Sequence, residues 1–268
     1  MQLPIGFLLA ILVAVLAWRA GALSASGAWA AALTGGLIFG LGGLPWAALL
    51  LTFFISSSLL SRAFGKRKSA LAEKFSKGHR RDWAQVLANG GLGALLAVIY
   101  WLLPAEGWVW AAFVGTMAAV NADTWATELG VLSKSPPRLV TSGKRVERGT
   151  SGGVTLLGTL AATGGAGLVA VIALLFQPGE NWWALLLAAV LGGLAGSYFD
   201  SLLGASLQAI YHCPACNKET ERHPTHTCGT PTTHLRGWRW MNNDVVNLAC
   251  SALGALAAVL LWMLMTRA

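Results

Sequence analysis

Four carboxylates stand where carboxylates are costly. Asp123 and Glu128 fall in the apolar stretch 107–129, Asp200 falls in 182–209, and Asp244 opens 244–265. An ionisable side chain inside such a stretch is expensive unless it is paired or binds a metal, so it marks a functional site by default. Polar company comes with each one: Asn121, Thr124 and Thr127 around Asp123, Ser197 and Ser201 around Asp200, and Asn242, Asn243 and Asn247 around Asp244. Asn89, with Gln85 one helical turn before it, adds amides from 83–103. A basic loop follows Glu128, with Lys134, Arg138, Lys144, Arg145 and Arg148. It returns to apolar sequence through Gly149-Thr150-Ser151-Gly152-Gly153. Carboxylate and amide oxygens suit a hard cation such as Mg2+. Arginine grips phosphate bidentately and lysine acts as a point charge. A small-residue turn that opens a helix offers backbone N–H groups to an anion. Holding and transferring phosphate with a divalent metal uses all of these parts. The structural alternative for Asp123 is a buried ion pair to Lys144 or Arg145.

A second set has softer ligands. Cys213-Pro-Ala-Cys216 is followed, after nine residues, by His226-Thr-Cys228, with His212, His223 and His234 nearby. Three thiolates and an imidazole fit a closed tetrahedral Zn2+ site, which is structural rather than catalytic. Redox chemistry at Cys213 and Cys216 is the competing reading. Cys250 lies in the last apolar stretch and reads as packing.

The elements that must carry these residues are membrane helices. The chain has 268 residues, 55% hydrophobic and 11% charged, with mean hydropathy +0.60. Soluble domains carry about 25% charged residues. Eight apolar stretches of the length needed to cross a bilayer run over 3–19, 27–42, 44–61, 83–103, 107–129, 152–176, 182–209 and 244–265. The first reads as a retained span rather than a cleaved signal. The second is short and glycine-rich and could be broken or re-entrant, so the count is seven or eight. The fold class is all-α: a polytopic transmembrane helix bundle, one domain over 1–268, with a short cytoplasmic metal-binding loop at 210–243. Eighteen of the nineteen Lys and Arg fall in the loops of one side, while the opposite short loops carry Glu106 and Glu180. Positive charge marks the cytoplasmic side. The net charge of +8 is therefore a topology signal, and its spread over membrane loops argues against a nucleic-acid partner. Residues 62–82 read as a basic amphipathic surface helix, in which Lys74, Lys77, Arg80 and Arg81 either touch anionic lipid or guide a polyanionic substrate. Ser56, Ser57, Ser58 and Ser61 read as hydrogen-bonding links between helices. Asn243 or Asp244 reads as the cap of the last helix.

Several ordered motifs together carry a resemblance. They are 121–130, the run Leu132-Ser133-Lys134-Ser135-Pro136-Pro137-Arg138-Leu139-Val140-Thr141, 149–153, Asp200-Ser201-Leu202-Leu203-Gly204-Ala205 with Gln208, and Asn242-Asn243-Asp244-Val245-Val246-Asn247-Leu248. With them the chain, from about residue 53 to its end, resembles the phytyl-phosphate kinase family of integral membrane proteins. More remotely it is similar to polyprenol kinases and CDP-diacylglycerol synthases. The 210–243 insertion departs from the plant and animal members. The resemblance implies transfer of a phosphate from a nucleoside triphosphate, CTP, to a prenyl or phytyl monophosphate. It implies Mg2+ held by Asp123, Glu128, Asp200 and Asp244. Asn89, Asn121, Thr124, Asn243 and Asn247 would position ligands, and Lys134, Arg138, Lys144, Arg145, Ser151 and Gly152 would hold phosphates. Zn2+ falls to Cys213, Cys216, His226 and Cys228. The expected partners are the lipid monophosphate, the nucleotide and membrane lipid, and a homo-oligomer stays open. The expected location is a bacterial inner membrane with the active site facing the cytoplasm. Two alternatives use similar parts. One is cytidylyl transfer to a lipid phosphate, and the other is a lipid-phosphate transporter or flippase, against which the one-sided polar cluster and the lack of an internal repeat argue.

Overall fold

A computed structural model describes residues 2–68, 73–75, 77, 80–104, 107–176 and 181–266. Glu106 and Glu180 lie outside the described residues. Eight helices form: α1 (Gln2–Arg19), α2 (Ala25–Gly42), α3 (Leu44–Lys68), α4 (Trp83–Leu102), α5 (Gly107–Gly130), α6 (Leu156–Phe176), α7 (Trp182–Ser206) and α8 (Asn243–Thr266). The glycine-rich second segment is one continuous helix, not a broken one. Seven of the eight are long and apolar enough to cross a membrane. The eighth, α5, is the central one. It packs against α3, α4, α6, α7 and α8, and residues 109–122 are all buried. Protein rather than lipid surrounds it, so it can carry polar residues that a lipid-facing helix could not.

Close packing around α5 depends on residues without side chains. Gly115, Gly192 and Gly254 meet where α5, α7 and α8 cross. A Cβ on Gly115 would stand 2.5 Å from the Gly254 carbonyl oxygen, and one on Gly192 would stand 2.9 Å from the same atom. Small residues let membrane helices approach in this way. Gly254→Ile is expected to destabilise the bundle by about 1–3 kcal/mol or more through overpacking, read as a lowered melting temperature in detergent.

The helix boundaries correct the sequence reading at three points. Basic residues 62–68 continue α3, and the described residues from 73 to 80 form turns and bends rather than a surface helix. Asp82 caps α4 through a capping box in which its side chain accepts from the Gln85 N–H and the Gln85 side chain accepts from the Asp82 N–H. Residues 151–155 do not open a helix. They lead into strand β2 (Gly153–Val154), which pairs antiparallel with β1 (Arg138–Leu139), and Thr155 caps α6 by accepting from the Gly158 N–H at 3.0 Å. Asn242, not Asn243 or Asp244, caps α8, its Oδ1 accepting from the Val245 N–H at 3.1 Å.

The insertion between α7 and α8 folds as a three-stranded antiparallel sheet in the order β4 (Lys218–Thr220), β3 (Ile210–Cys213), β5 (Thr233–Arg236). The loops that carry the cations meet at one end of the bundle. The Ser24 N–H donates to the Arg81 carbonyl at 2.9 Å, Lys74 pairs with Glu147 at 2.8 Å, Lys77 pairs with Asp244 at 2.5 Å, and Lys218 pairs with Glu73.

Candidate active site

Beneath those loops lies a cavity of about 420 Å³. α5 contributes Asp123, Thr124 and Glu128, α7 contributes Ser197 and Asp200, α4 contributes Gln85 and Asn89, and α8 contributes Asn243 and Asn247. The turn 149–153 forms another wall, with Ser151 and Gly152. Three cations reach in: Lys77, Arg81 and Arg148.

Asp123 of α5 and Asp200 of α7 both line the cavity. Ser197 Oγ lies 3.5 Å from Asp123 Oδ1, so the partner of Asp123 is a hydroxyl and not Lys144 or Arg145. Asp200 lies within Coulombic range of Asp123 and of Glu221. Its buried Oδ2 has no hydrogen-bond partner among the described residues. Like charges gathered in low dielectric are unfavourable without a cation between them.

The other two carboxylates are separately engaged. Glu128 Oε1 accepts from Ser61 Oγ at 2.8 Å, and its charge acts on the Arg81 guanidinium. Asp244 pairs with Lys77, which also reaches Asp82 at 2.8 Å. Burial opposes the charge on Lys77, but Asp244 and Asp82 outweigh it and hold its pKa above the ordinary value. The four carboxylates expected around one or two Mg2+ therefore do not form one group. Among the described residues, no three of these acidic side chains come close enough to surround an ion.

Arg81 is firmly held. It donates to Ser57 Oγ at 2.9 Å and Ser58 Oγ at 3.2 Å, and it sits over the Phe53 and Phe54 rings at 5.5 and 5.4 Å. Burial lowers its pKa to about 10, with Glu128 acting the other way. It stays fully charged at neutral pH.

The loop 131–155 divides its cations differently from the sequence expectation. Lys134, in the loop before β1, and Arg138, Lys144 and Arg145, on the β1 hairpin, are exposed and outside the lining of the cavity. Arg138 donates to the Gly143 carbonyl at 2.9 Å. Arg148 lines the cavity, and its Nη2 donates to the Ser133 carbonyl at 2.7 Å. Gly152 has φ +82°, and a Cβ there would lie 2.5 Å from the Ala205 backbone nitrogen. The turn is thereby seated against the end of α7. Gly152→Ala is expected to cost about 1–3 kcal/mol of strain and to raise hydrogen exchange across 149–154.

Asn121 also departs from expectation. It is fully buried, donating to the Gly165 carbonyl at 2.8 Å and accepting from Ser56 Oγ at 2.9 Å. It ties α5 to α6 and α3, as the serines of α3 were expected to do, and does not reach the cavity. Glu221 was missed altogether. It arrives from the insertion and lines the same cavity as Asp200. Nothing in its local sequence sets it apart from an exposed loop residue.

Cys213, Cys216, His226 and Cys228 converge, with all four ligand atoms within 4.8 Å of one another. Individual separations are 3.6 Å for Cys213 to Cys228, 3.5 Å for Cys216 to His226 Nδ1, and 3.3 Å for His226 Nδ1 to Cys228. An ion about 2.0–2.3 Å from each ligand gives edges of this size. The Cys228 thiol is drawn down, first by its hydrogen bond with Thr230 and then by His226, while the neighbouring Cys216 thiol is pushed up, first by its hydrogen bond with Cys228. This is a possible metal-binding cluster, and a two-cysteine redox pair does not account for its other two members.

The family described as integral membrane protein DUF92 matches residues 8–255. The chain belongs to that family. The match includes every motif on which the resemblance to phytyl-phosphate kinases rests. The chain is 33% identical over 245 residues to Protein PGR of Arabidopsis thaliana, covering 81% of this chain and 83% of that one. It is 33% identical over 206 residues to an uncharacterized membrane protein of Methanocaldococcus jannaschii, covering 76% and 82%. It is 26% identical over 244 residues to Protein VTE6, chloroplastic, of Arabidopsis thaliana, covering 89% of this chain and 65% of that one. No solved structure matches it.

Proposed function

We propose that this membrane protein transfers the terminal phosphate of a nucleoside triphosphate, CTP, to a prenyl or phytyl monophosphate, giving the diphosphate. The observation that carries the reading is the presence of Asp123 and Asp200 in one cavity that also holds Arg81, Lys77, Arg148 and the turn 149–153. Buried carboxylates and cations gathered in one cavity suit a metal-bound polyphosphate. Mg2+ is usually held by one or two carboxylates plus substrate phosphates. A two-aspartate site therefore fits it better than the four-carboxylate site expected from sequence, and the unpartnered Oδ2 of Asp200 is a ready ligand. Bound there, the ion would neutralise phosphate charge and orient the transferred group.

In the reaction, an oxygen of the lipid monophosphate attacks the γ-phosphorus. The bond from γ-phosphorus to the β,γ-bridging oxygen breaks, and the nucleoside diphosphate leaves. The nucleophile is already anionic, so no general base is required. Arg81, Lys77 and Arg148 supply the positive charge that such a transition state needs. Asn89, Asn243, Asn247 and Thr124 line the same space and would orient the reactants. Tyr198 is 39% exposed on the outer face of α7 yet also lines the cavity beside Thr159, which supports entry of the lipid from the bilayer while the nucleotide enters between the loops. The Cys/His cluster is read as a structural Zn2+ site. The basic loops support a cavity that faces the cytoplasm from a bacterial inner membrane.

Cytidylyl transfer would use the same parts but attack a different phosphorus. Phosphorus NMR of the reaction mixture separates the two. The kinase reading expects CDP and a prenyl diphosphate, whereas pyrophosphate and a CDP-lipid would replace it.

A further inference from the structure

The cavity and the metal-type cluster are joined through one short segment. Glu221 sits midway between two cluster members, five residues after Cys216 and five before His226. Its segment leaves β4, which pairs with β3, and β3 ends in the cluster residue Cys213. A metal on Cys213, Cys216, His226 and Cys228 would thus tie down both flanks of the segment that carries Glu221.

From there the contacts lead directly into the cavity wall. Glu221 Oε1 accepts from Gln208 Nε2 at 2.9 Å and lies 3.3 Å from Ser151 Oγ. Ser151 Oγ in turn donates to Gln208 Oε1 at 2.7 Å. Gln208 is 1% exposed and lies just past the end of α7. Its carbonyl is covered by Gly237, where a Cβ would have no room at all. Ser151 belongs to the turn 149–153, already seated on α7 through Gly152. The same segment also reaches the cationic loop: the Glu221 N–H donates to the Lys74 carbonyl at 2.9 Å, and Thr220 Oγ1 donates to the Glu73 carbonyl at 2.7 Å. Lys77, three residues beyond Lys74, lines the cavity.

We infer that the Cys/His module is a clamp on the site: metal on Cys213, Cys216, His226 and Cys228 holds Glu221, and Glu221 holds Ser151 and Gln208, so that metal occupancy sets the order of the turn 149–153. Glu221 is a positioning residue in this scheme. Its carboxylate accepts from Gln208, whose own side-chain oxygen accepts from Ser151 of the turn. The module is therefore part of the site and not a separately folding appendage. The consequence for nucleotide binding rests on the phosphotransfer reading, but the structural coupling does not.

The test uses the full chain in detergent, with metal content measured by mass spectrometry. Hydrogen exchange is followed in 146–155 before and after metal is stripped with a strong chelator, and after Zn2+ is added back. Nucleotide binding is measured in parallel with CTP and Mg2+. Stripping is expected to speed exchange in 146–155 at least tenfold and to weaken CTP binding at least tenfold, with Zn2+ restoring both. Glu221→Ala is expected to do the same to 146–155 with the module still metal-loaded, whereas Glu221→Gln, which keeps the acceptor, retains protection. Faster exchange in 210–236 with no change in 146–155 would overturn the inference. So would equal loss in Glu221→Ala and Glu221→Gln, or a protein that neither carries nor takes up metal at the cluster. If CTP binds under no condition while exchange in 146–155 still follows the metal, the clamp stands and the nucleotide reading falls.

Discussion

Asp200→Asn is expected to abolish phosphate transfer and, without divalent metal, to raise the melting temperature. The two effects have one cause. In the native chain the Asp200 carboxylate lies within Coulombic range of Asp123 and Glu221, and its buried Oδ2 lacks a hydrogen-bond partner among the described residues. An amide of the same shape removes an ionisable group whose charged form burial and its neighbours both oppose. A gain of about 1 kcal/mol would appear as roughly 2–4 °C in a chain of this size. The same change removes a metal ligand, for which loss of about 10³-fold in kcat/KM corresponds to about 4 kcal/mol. Adding Mg2+ with nucleotide should then reverse the order of stability. The wild type gains by mass action from a ligand that binds only the folded state, and the variant does not. Melting curves with chelator and with Mg2+ plus CTP check the crossing. A variant that is less stable under both conditions would show that Asp200 is a structural residue.

Arg81→Lys is expected to lower kcat/KM about 10²-fold, chiefly through KM for the nucleotide. Charge is retained, so the loss reports geometry. The guanidinium spends two N–H groups on Ser57 and Ser58 and lies against Phe53 and Phe54, which leaves its remaining donors aimed from a fixed plane. Lysine has a single nitrogen on a flexible stem and cannot hold both serines and a phosphate. A charge-assisted hydrogen bond contributes about 1.5–3 kcal/mol, which is the size of the expected effect. Steady-state kinetics at several CTP concentrations separates KM from kcat. An unchanged KM would move Arg81 out of the binding site and into the scaffold between α3 and the α2–α4 edge.

Much of this arrangement was legible in the sequence because membranes make strong rules. Apolar runs gave the helices to within a few residues at most ends, and the placement of Lys and Arg gathered the loops that the structure brings to one end. Asp123 and Asp200 stood out because their surroundings are apolar. The Cys-x-x-Cys and His-x-Cys spacing identified the four cluster residues, since metal ligands of this kind are local in sequence. The misses share a different origin. Two-residue strands such as β1 and β2 are too short to show a period, so the turn 149–153 looked like the start of α6. Asn121 is two residues from Asp123, about 200° around the helix, and so it faces α6 and α3 rather than the cavity. Lys144 and Arg145 follow the hairpin outward, which composition alone does not reveal. Glu221 becomes a site residue only through tertiary contacts with Gln208 and Ser151.

The central claim is that this cavity moves a phosphate from a nucleotide to a lipid phosphate. The direct measurement is transfer of label from γ-labelled CTP, with Mg2+, by purified protein to a panel of prenyl monophosphates, beside Asp123→Asn and Asp200→Asn. Label in a prenyl diphosphate, lost about 10³-fold in both variants, is the predicted result. Folded protein that binds the lipid phosphate yet transfers label from no nucleotide would contradict it.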